Sequence, residues 1–131
     1  MAGVLSSLSC VFLLALVFGL DHALYVTLLP KSVTTAIGVA VVEKLGGYTS
    51  IAAVVIILTG VLGNMFAEGY LKLLGVREPV AKGVAIGTAS HAIGTSRAME
   101  MGETEGAMSS LSIVVAGLIT VIGVSVFAQF I

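Results

Sequence analysis

Two long segments without a charged residue, Thr49–Ala67 and Gly106–Ile131, most strongly limit what this chain can fold into. Each is long enough as an α-helix to cross the hydrocarbon core of a bilayer. A third uncharged segment is Ala2–Leu20. Across 131 residues, 58% are hydrophobic and 10% are charged, which lies outside the range of ordinary soluble domains. We therefore predict an all-α, polytopic membrane helix bundle that forms one domain, residues 1–131, in the lipid bilayer.

Two shorter segments, Pro30–Gly47 and Lys82–Glu105, mix small, hydroxyl and charged residues between the apolar ones. We predict four to five transmembrane segments in all, including these two as short or broken segments. Such interrupted segments point to the binding site of a transporter. The two also share a local likeness, SVTTAIG from Ser32 and TASHAIG from Thr88, which is too short to establish an internal repeat by itself.

The first polar segment begins with Pro30, which is tolerated in the first turn of a helix. Lys31 and three hydroxyl residues, Ser32, Thr34 and Thr35, follow it. Together with the free N–H groups of a helix N-terminus, these side chains favour the binding of a small anion. In the alternative interpretation, Lys31 extends to the membrane surface and the hydroxyls bond neighbouring helices.

The second polar segment predicts one helix with a face of very small side chains. Gly83, Gly87, His91, Gly94 and Ala98 fall on this face, at spacings of three or four residues. A face of this kind allows another helix to pack closely against it. The imidazole is its one large side chain. It is either a titratable group that couples proton movement or a hydrogen-bonded contact between helices.

A neighbouring strip of the same predicted helix carries Ser90, Gly94 and Arg97 nearly in line, and Thr95 supplies a further hydroxyl. With the hydroxyls as donors and Arg97 as the cation, this strip is suited to a small carboxylate. In the alternative interpretation, Arg97 lies at the membrane surface and pairs with Glu100, three residues further on.

The distribution of basic residues predicts how the bundle is oriented. If every segment crosses, four basic residues lie on one side and two on the other, and the larger number marks the cytoplasmic side. The predicted cytoplasmic residues are Lys31, Lys72, Arg77 and Lys82, and the outer ones are Lys44 and Arg97, beside the acidic turn Glu103–Glu105.

Other classes of function lack support in the sequence. The net charge of −1 and the absence of a basic run argue against nucleic acid as a partner. There is no phosphate-binding glycine loop, and His22 and His91 lie far apart without a cysteine partner. We therefore expect no metal site, no cofactor and no enzymatic activity. The single cysteine, Cys10, is expected to be a small residue of the core.

Three stretches resemble the LrgB/CidB family of bacterial membrane proteins. They are LPKSVTTAIGVAVVEKLGG (Leu29–Gly47), ILTGVLGN (Ile57–Asn64) and GVAIGTASHAIGTSRAMEMGETEGAMSSLSI (Gly83–Ile113). The chain departs from the family pattern at Ala36, where proline is usual, so that a helix break expected there is softened or moved. Typical members are about twice as long, and the chain resembles only their C-terminal part.

The resemblance implies a multi-pass protein of the bacterial cell membrane with one of two functions. Family members are called antiholin-like, linked to murein hydrolase export and autolysis, and usually found beside an LrgA/CidA-like partner. A plant relative that resembles a fusion of both proteins moves glycolate and glycerate, and bacterial members are associated with pyruvate uptake.

Our first hypothesis is therefore an ion- or proton-coupled carrier of small monocarboxylates, acting as a subunit or homo-oligomer. Its substrate-binding residues are Lys31, Ser32, Thr34, Thr35, Ser90, His91, Gly94, Thr95 and Arg97. The alternative is a structural, antiholin-like protein that oligomerises through Gly83, Gly87 and Gly94.

Overall fold

The computed structural model describes residues 1–131 and contains six α-helices and no strands, as the all-α prediction requires. The helices are α1 (Ala2–Phe18), α2 (His22–Leu28), α3 (Thr35–Lys44), α4 (Thr49–Leu73), α5 (Pro79–Met101) and α6 (Glu103–Phe127). Only α4 and α6 are both long and apolar enough to cross a membrane, whereas α1 is apolar but has 17 residues. The predicted four to five crossings are therefore not confirmed.

The boundaries of the helices follow local chemistry. α1 ends at Gly19, whose left-handed conformation (φ 60°) lets its N–H reach the carbonyls of the last turn. α4 continues six residues beyond the predicted end because Glu68 and Lys72 pair across one turn, with Oε1 and Nζ 2.8 Å apart. At the start of α2, Asp21 accepts a hydrogen bond from the Leu24 N–H at 2.8 Å.

α5 is a helical hairpin. It is therefore a broken segment, and the prediction of one helix with a single small-residue face is wrong. Its backbone leaves the helical conformation at His91 (φ 43°, ψ −139°). Ile86 and Ala98 share one buried cluster, although a straight helix would separate them by about 18 Å. The chain therefore turns back at His91. We call residues 79–90 the first arm and residues 92–101 the return arm of the α5 hairpin.

The two arms of the α5 hairpin run in opposite directions along α6. A Cβ placed on Gly83 would lie 2.8 Å from Met108 Cβ, and one on Gly87 would lie 2.9 Å from Ser112 Cβ, so the first arm runs parallel to α6. The return arm is antiparallel to α6, because Thr95 lies beside Ser109. The absence of side chains at the two glycines permits this close approach.

α2 and α3 form a second hairpin, whose tip is residues 29–34. Just beyond α3, the Tyr48 N–H donates to Thr27 Oγ1, in the last turn of α2, at 2.8 Å. Near the tip, a Cβ placed on Gly38 would lie 3.5 Å from the Pro30 carbonyl oxygen.

α3 runs along α6 from Ile37, beside Gly117, towards Lys44, which borders one pocket with Ser125. Because α2 contacts the C-terminal end of α6 through Tyr25, the chain reverses direction between α2 and α3. We call this element the α2–α3 hairpin.

The two hairpins enter the bundle from opposite ends. The open end of the α2–α3 hairpin lies at the C-terminal end of α6, where the Tyr25 hydroxyl donates to the Phe127 carbonyl at 2.9 Å. The open end of the α5 hairpin lies at the N-terminal end of α6, where a Cβ placed on Gly106 would lie 2.9 Å from Met99 Cγ. Both tips therefore point into the bundle.

The buried core consists of two clusters, one at each hairpin. The larger cluster holds α1 and the α2–α3 hairpin against the second half of α6, with Leu8, Tyr25, Val26 and Val124 at most 1% exposed. The smaller cluster holds the α5 hairpin against α4 and consists of Ala67, Leu71, Ile86 and Ala98. Cys10 lies on the surface, so its predicted core position is wrong.

Candidate functional site at the two hairpin tips

His91 forms the tip of the α5 hairpin. It is the only residue other than glycine with positive φ, a conformation that strains an L-residue and is found where surrounding contacts enforce it. The side chain is 2% exposed, and its Nε2 lies 2.9 Å from the carbonyl oxygen of Ile56 in α4. Because a carbonyl can only accept, Nε2 is the protonated nitrogen in this contact.

α4 presents a contact surface to this tip. A Cβ placed on Gly60 would lie 2.6 Å from His91 Cε1, so only glycine lets the imidazole lie against the helix here. One turn further, Asn64 Nδ2 donates to the Ile93 carbonyl at 2.9 Å and to Ser96 Oγ at 2.8 Å. These contacts attach the start of the return arm to α4.

Two hydroxyls attach the return arm to α6. Thr95 Oγ1 donates to the His91 carbonyl at 2.8 Å and lies 2.6 Å from Ser109 Oγ. The single hydroxyl hydrogen of Thr95 is donated to the His91 carbonyl, so in the bond between the two hydroxyls Ser109 is the donor and Thr95 the acceptor. Thr95 thus stabilises the turn after the break and joins it to α6.

The tip of the α2–α3 hairpin carries the first set of predicted site residues. Lys31 Nζ donates to Ser32 Oγ at 3.1 Å, and Ser32 Oγ lies 3.1 Å from Ser7 Oγ in α1. Thr34 is the N-cap of α3 without a side-chain capping bond, and Thr35 is the first residue of α3. The hydroxyl of Ser32 is therefore engaged within the protein, whereas the first turn of α3 has no side-chain cap.

The structure connects the two tips through Ile56 and does not place them in one pocket. The Ile56 carbonyl accepts a hydrogen bond from His91. The Cδ1 atom of the Ile56 side chain lies against Gly38, in the space that a Cβ would fill. Every buried side-chain nitrogen and oxygen has a hydrogen-bond partner within the chain. The buried polar atoms of the tips are therefore satisfied within the chain.

Arg97 lies apart from the tips, so the predicted line of Ser90, Gly94 and Arg97 is wrong. Because α5 folds back, Ser90 lies against Gly63 of α4, whereas Arg97 approaches the open end of the hairpin. There the guanidinium bonds Glu68 of α4 and, at 2.6 Å, Glu100. The pairing of Arg97 with Glu100 is thus confirmed.

The fold-back also changes which basic residues lie at the same end of the bundle. Lys82 and Arg97 border the same open pocket of about 310 Å³, with Glu68, Glu100 and Glu105, although the sequence assigned them to opposite sides. Both ends of α5 lie at one end of the bundle. The sorting of Arg97 with the outer residues is therefore wrong.

Three further residues contribute polar contacts that the predicted site did not include. Asn64 was visible in the sequence as a polar residue on the small-residue side of α4, and it contacts the return arm. Ser7 and Ser109 stand in apolar helices and gave no comparable signal. No cluster of three metal-ligating side chains is present.

Comparison with known proteins assigns the family. A model of the LrgB-like family matches residues 1–130. The chain belongs to the LrgB-like family. Relatives from Bacillus cereus (strain B4264) and Bacillus anthracis (strain A0248), both named antiholin-like protein LrgB, are 39% identical to it over 129 residues. The matched region is 98% of this LrgB-family chain and 56% of each relative, so the chain spans little more than half their length. No solved structure matches it.

Proposed function

We propose that this LrgB-family chain is an antiholin-like membrane protein in which α4 and α6 cross the membrane. Each hairpin enters the membrane from one side and returns to the same side. The name of the relatives, antiholin-like protein LrgB, is the observation that carries the functional part of this proposal. The two long apolar helices support the membrane placement.

The packing of the polar residues also supports a structural role. All buried polar side-chain atoms are paired within the chain, so no fully buried donor is left free to hold a solute. Gly83 and Gly87 bring the first arm directly against the backbone of α6. In lipid, where apolar burial gives little driving force, such close packing is what holds helices together.

We place the chain in the bacterial cell membrane with the open end of the α5 hairpin in the cytoplasm. Four of the six basic residues lie at or near that end, namely Lys72, Arg77, Lys82 and Arg97. Short loops rich in lysine and arginine stay in the cytoplasm. The chain acts there as a homo-oligomer or with an LrgA/CidA-like partner.

A lysis assay tests the antiholin-like function. The chain is expressed in a bacterial host that lacks its own LrgB-family protein, and detergent-triggered autolysis is measured. We expect cells that express the wild-type chain to lyse more slowly than cells without it. Gly69→Leu should keep this effect, because a Cβ on Gly69 meets no atom within 4 Å. Gly87→Leu should abolish the effect. If cells whose membranes contain the wild-type chain lyse as fast as cells without it, the proposal is contradicted.

Carrier function is a second candidate, favoured by two polar tips that lie inside an apolar bundle on either side of Ile56. Interrupted helices whose ends meet inside the membrane are typical of transporter binding sites. We assign small monocarboxylates as the substrate class. Lys31 is the cation, hydroxyls of Ser32, Thr34 and Thr35 are donors, and His91 couples proton movement. Arg97, held by two carboxylates at the bundle end, leaves this set.

Uptake by liposomes tests the carrier candidate. Labelled glycolate or pyruvate is offered to liposomes that hold the chain, with and without a pH gradient. The carrier candidate predicts saturable uptake that His91→Ala abolishes and His22→Ala, at an exposed histidine, leaves unchanged. Equal uptake with empty liposomes, or unchanged proton dependence in His91→Ala, contradicts it.

A further inference from the structure

We infer that residues 22–73 and 79–127 are two inverted copies of one unit, a helical hairpin followed by a long helix. The first copy is the α2–α3 hairpin with α4, and the second is the α5 hairpin with α6. The inference goes beyond the family function, because it assigns an internal symmetry to the chain and one membrane face to each hairpin.

α3 is the return arm of the α2–α3 hairpin, as residues 92–101 are of the α5 hairpin. The two return arms begin with the same tripeptide. Ala36, Ile37 and Gly38 lie in the first turn of α3, and Ala92, Ile93 and Gly94 directly follow the break at His91. The short likeness in the sequence thus falls at the same structural position in both hairpins. Each return arm is followed by a helix of 25 residues, α4 or α6.

The two copies also contact each other reciprocally. A Cβ placed on Gly117 of α6 would lie 3.2 Å from Ile37 Cδ1 in the first hairpin. A Cβ placed on Gly60 of α4 would lie 2.8 Å from Ile93 Cβ in the second hairpin. The isoleucine of each tripeptide therefore packs on a glycine in the long helix of the other copy, as two-fold related units do.

The directions of the elements make the relation an inverted one. α4 and α6 are antiparallel, because the first arm of α5 runs parallel to α6 but antiparallel to α4, where Ser90 lies at Gly63 and Ile86 packs with Ala67. The open ends of the hairpins lie at opposite ends of α6. A two-fold axis in the membrane plane gives this arrangement.

The symmetry has a functional consequence, which rests on the carrier candidate. Inverted copies around a central site allow a protein to expose that site to one membrane face and then to the other. The α2–α3 hairpin serves one face, and the α5 hairpin serves the opposite face.

Sidedness of thiol labelling tests the inference without any transport activity. Single cysteines replace Lys44, Lys82 or Met101 in a Cys10→Ala background, and an impermeant maleimide is added to spheroplasts or to inverted membrane vesicles. Lys44 and Met101 end the two return arms, and Lys82 lies in the first arm of α5. We expect Lys82→Cys and Met101→Cys to react from the same face and Lys44→Cys from the other.

Two results would overturn the inference. Labelling of Lys44→Cys and Met101→Cys from the same face would contradict the inversion. Labelling of Lys82→Cys and Met101→Cys from different faces would contradict the α5 hairpin. If the cysteines are labelled from the expected faces but liposomes take up no glycolate or pyruvate, the inverted copies are supported and only the carrier candidate is excluded.

Discussion

The contact between the first arm of α5 and α6 can be tested by adding one methyl group. A Cβ placed on Gly87 would contact the Ser109 carbonyl oxygen and lie 2.9 Å from Ser112 Cβ. Carbon atoms pack best at about 3.5–4.0 Å, so Gly87→Ala forces the arm and α6 apart. Forced separation in a packed interior costs about 1–3 kcal/mol.

Gly69→Ala is the matched control for this substitution. Gly69 lies inside α4 with nothing within 4 Å of the added Cβ. Alanine favours a helix over glycine by up to about 1 kcal/mol, so Gly69→Ala should be neutral or stabilising. The two variants should therefore differ in unfolding free energy by about 1–4 kcal/mol.

Pulse proteolysis in detergent micelles across an SDS titration measures this difference. We expect Gly87→Ala to unfold at a clearly lower SDS fraction than the wild-type chain, and Gly69→Ala to unfold at the same or a higher fraction. If both variants unfold together, the first arm does not lie directly on α6, and the reasoning from close packing fails.

Other contacts give smaller and more local predictions, measured by the same titration. Asn64→Leu should lower stability by about 0.6–2 kcal/mol, because two hydrogen bonds to the return arm are lost; no change would show that α4 does not hold the tip. Tyr25→Phe should cost about 0.5–1.5 kcal/mol, because the ring stays and the bond to Phe127 goes; a neutral result would contradict that bond. Thr95→Val and Ser109→Ala together should lower the unfolding free energy by less than the sum of their separate effects. Strict additivity would show that the two hydroxyls do not interact.

The sequence predicted the helical class, the family and the two long apolar helices. Uncharged segments at Thr49–Ala67 and Gly106–Ile131 require these helices in any arrangement. The positions of the polar segments were partly correct. Lys82–Glu105 covers most of the α5 hairpin, whereas Pro30–Gly47 covers only the tip and second arm of the α2–α3 hairpin.

The fold-back of α5 was not predictable from residue spacing. Gly83, Gly87, His91 and Gly94 keep helical spacing across the break, so their periodicity indicates one continuous face. The break depends on contacts with α4, where Ile56 offers a carbonyl to His91 and Asn64 holds the return arm. Such tertiary contacts leave no mark in the local pattern, and they moved Arg97 away from Ser90.

The distance between the two ends of α5 tests the central claim most directly. Spin labels are attached to cysteines that replace Lys82 and Met101 in the Cys10→Ala background, and their dipolar coupling is measured in liposomes. A straight helix would separate these positions by about 28 Å, as it does Ser50 and Gly69 of α4, the control pair.

Lys82 and Met101 border the same pocket, so the fold-back predicts strong short-range broadening for their labels and none for the control pair. Equal long distances for both pairs would contradict the hairpin at His91, and with it the assignment of both ends of α5 to one face of the membrane.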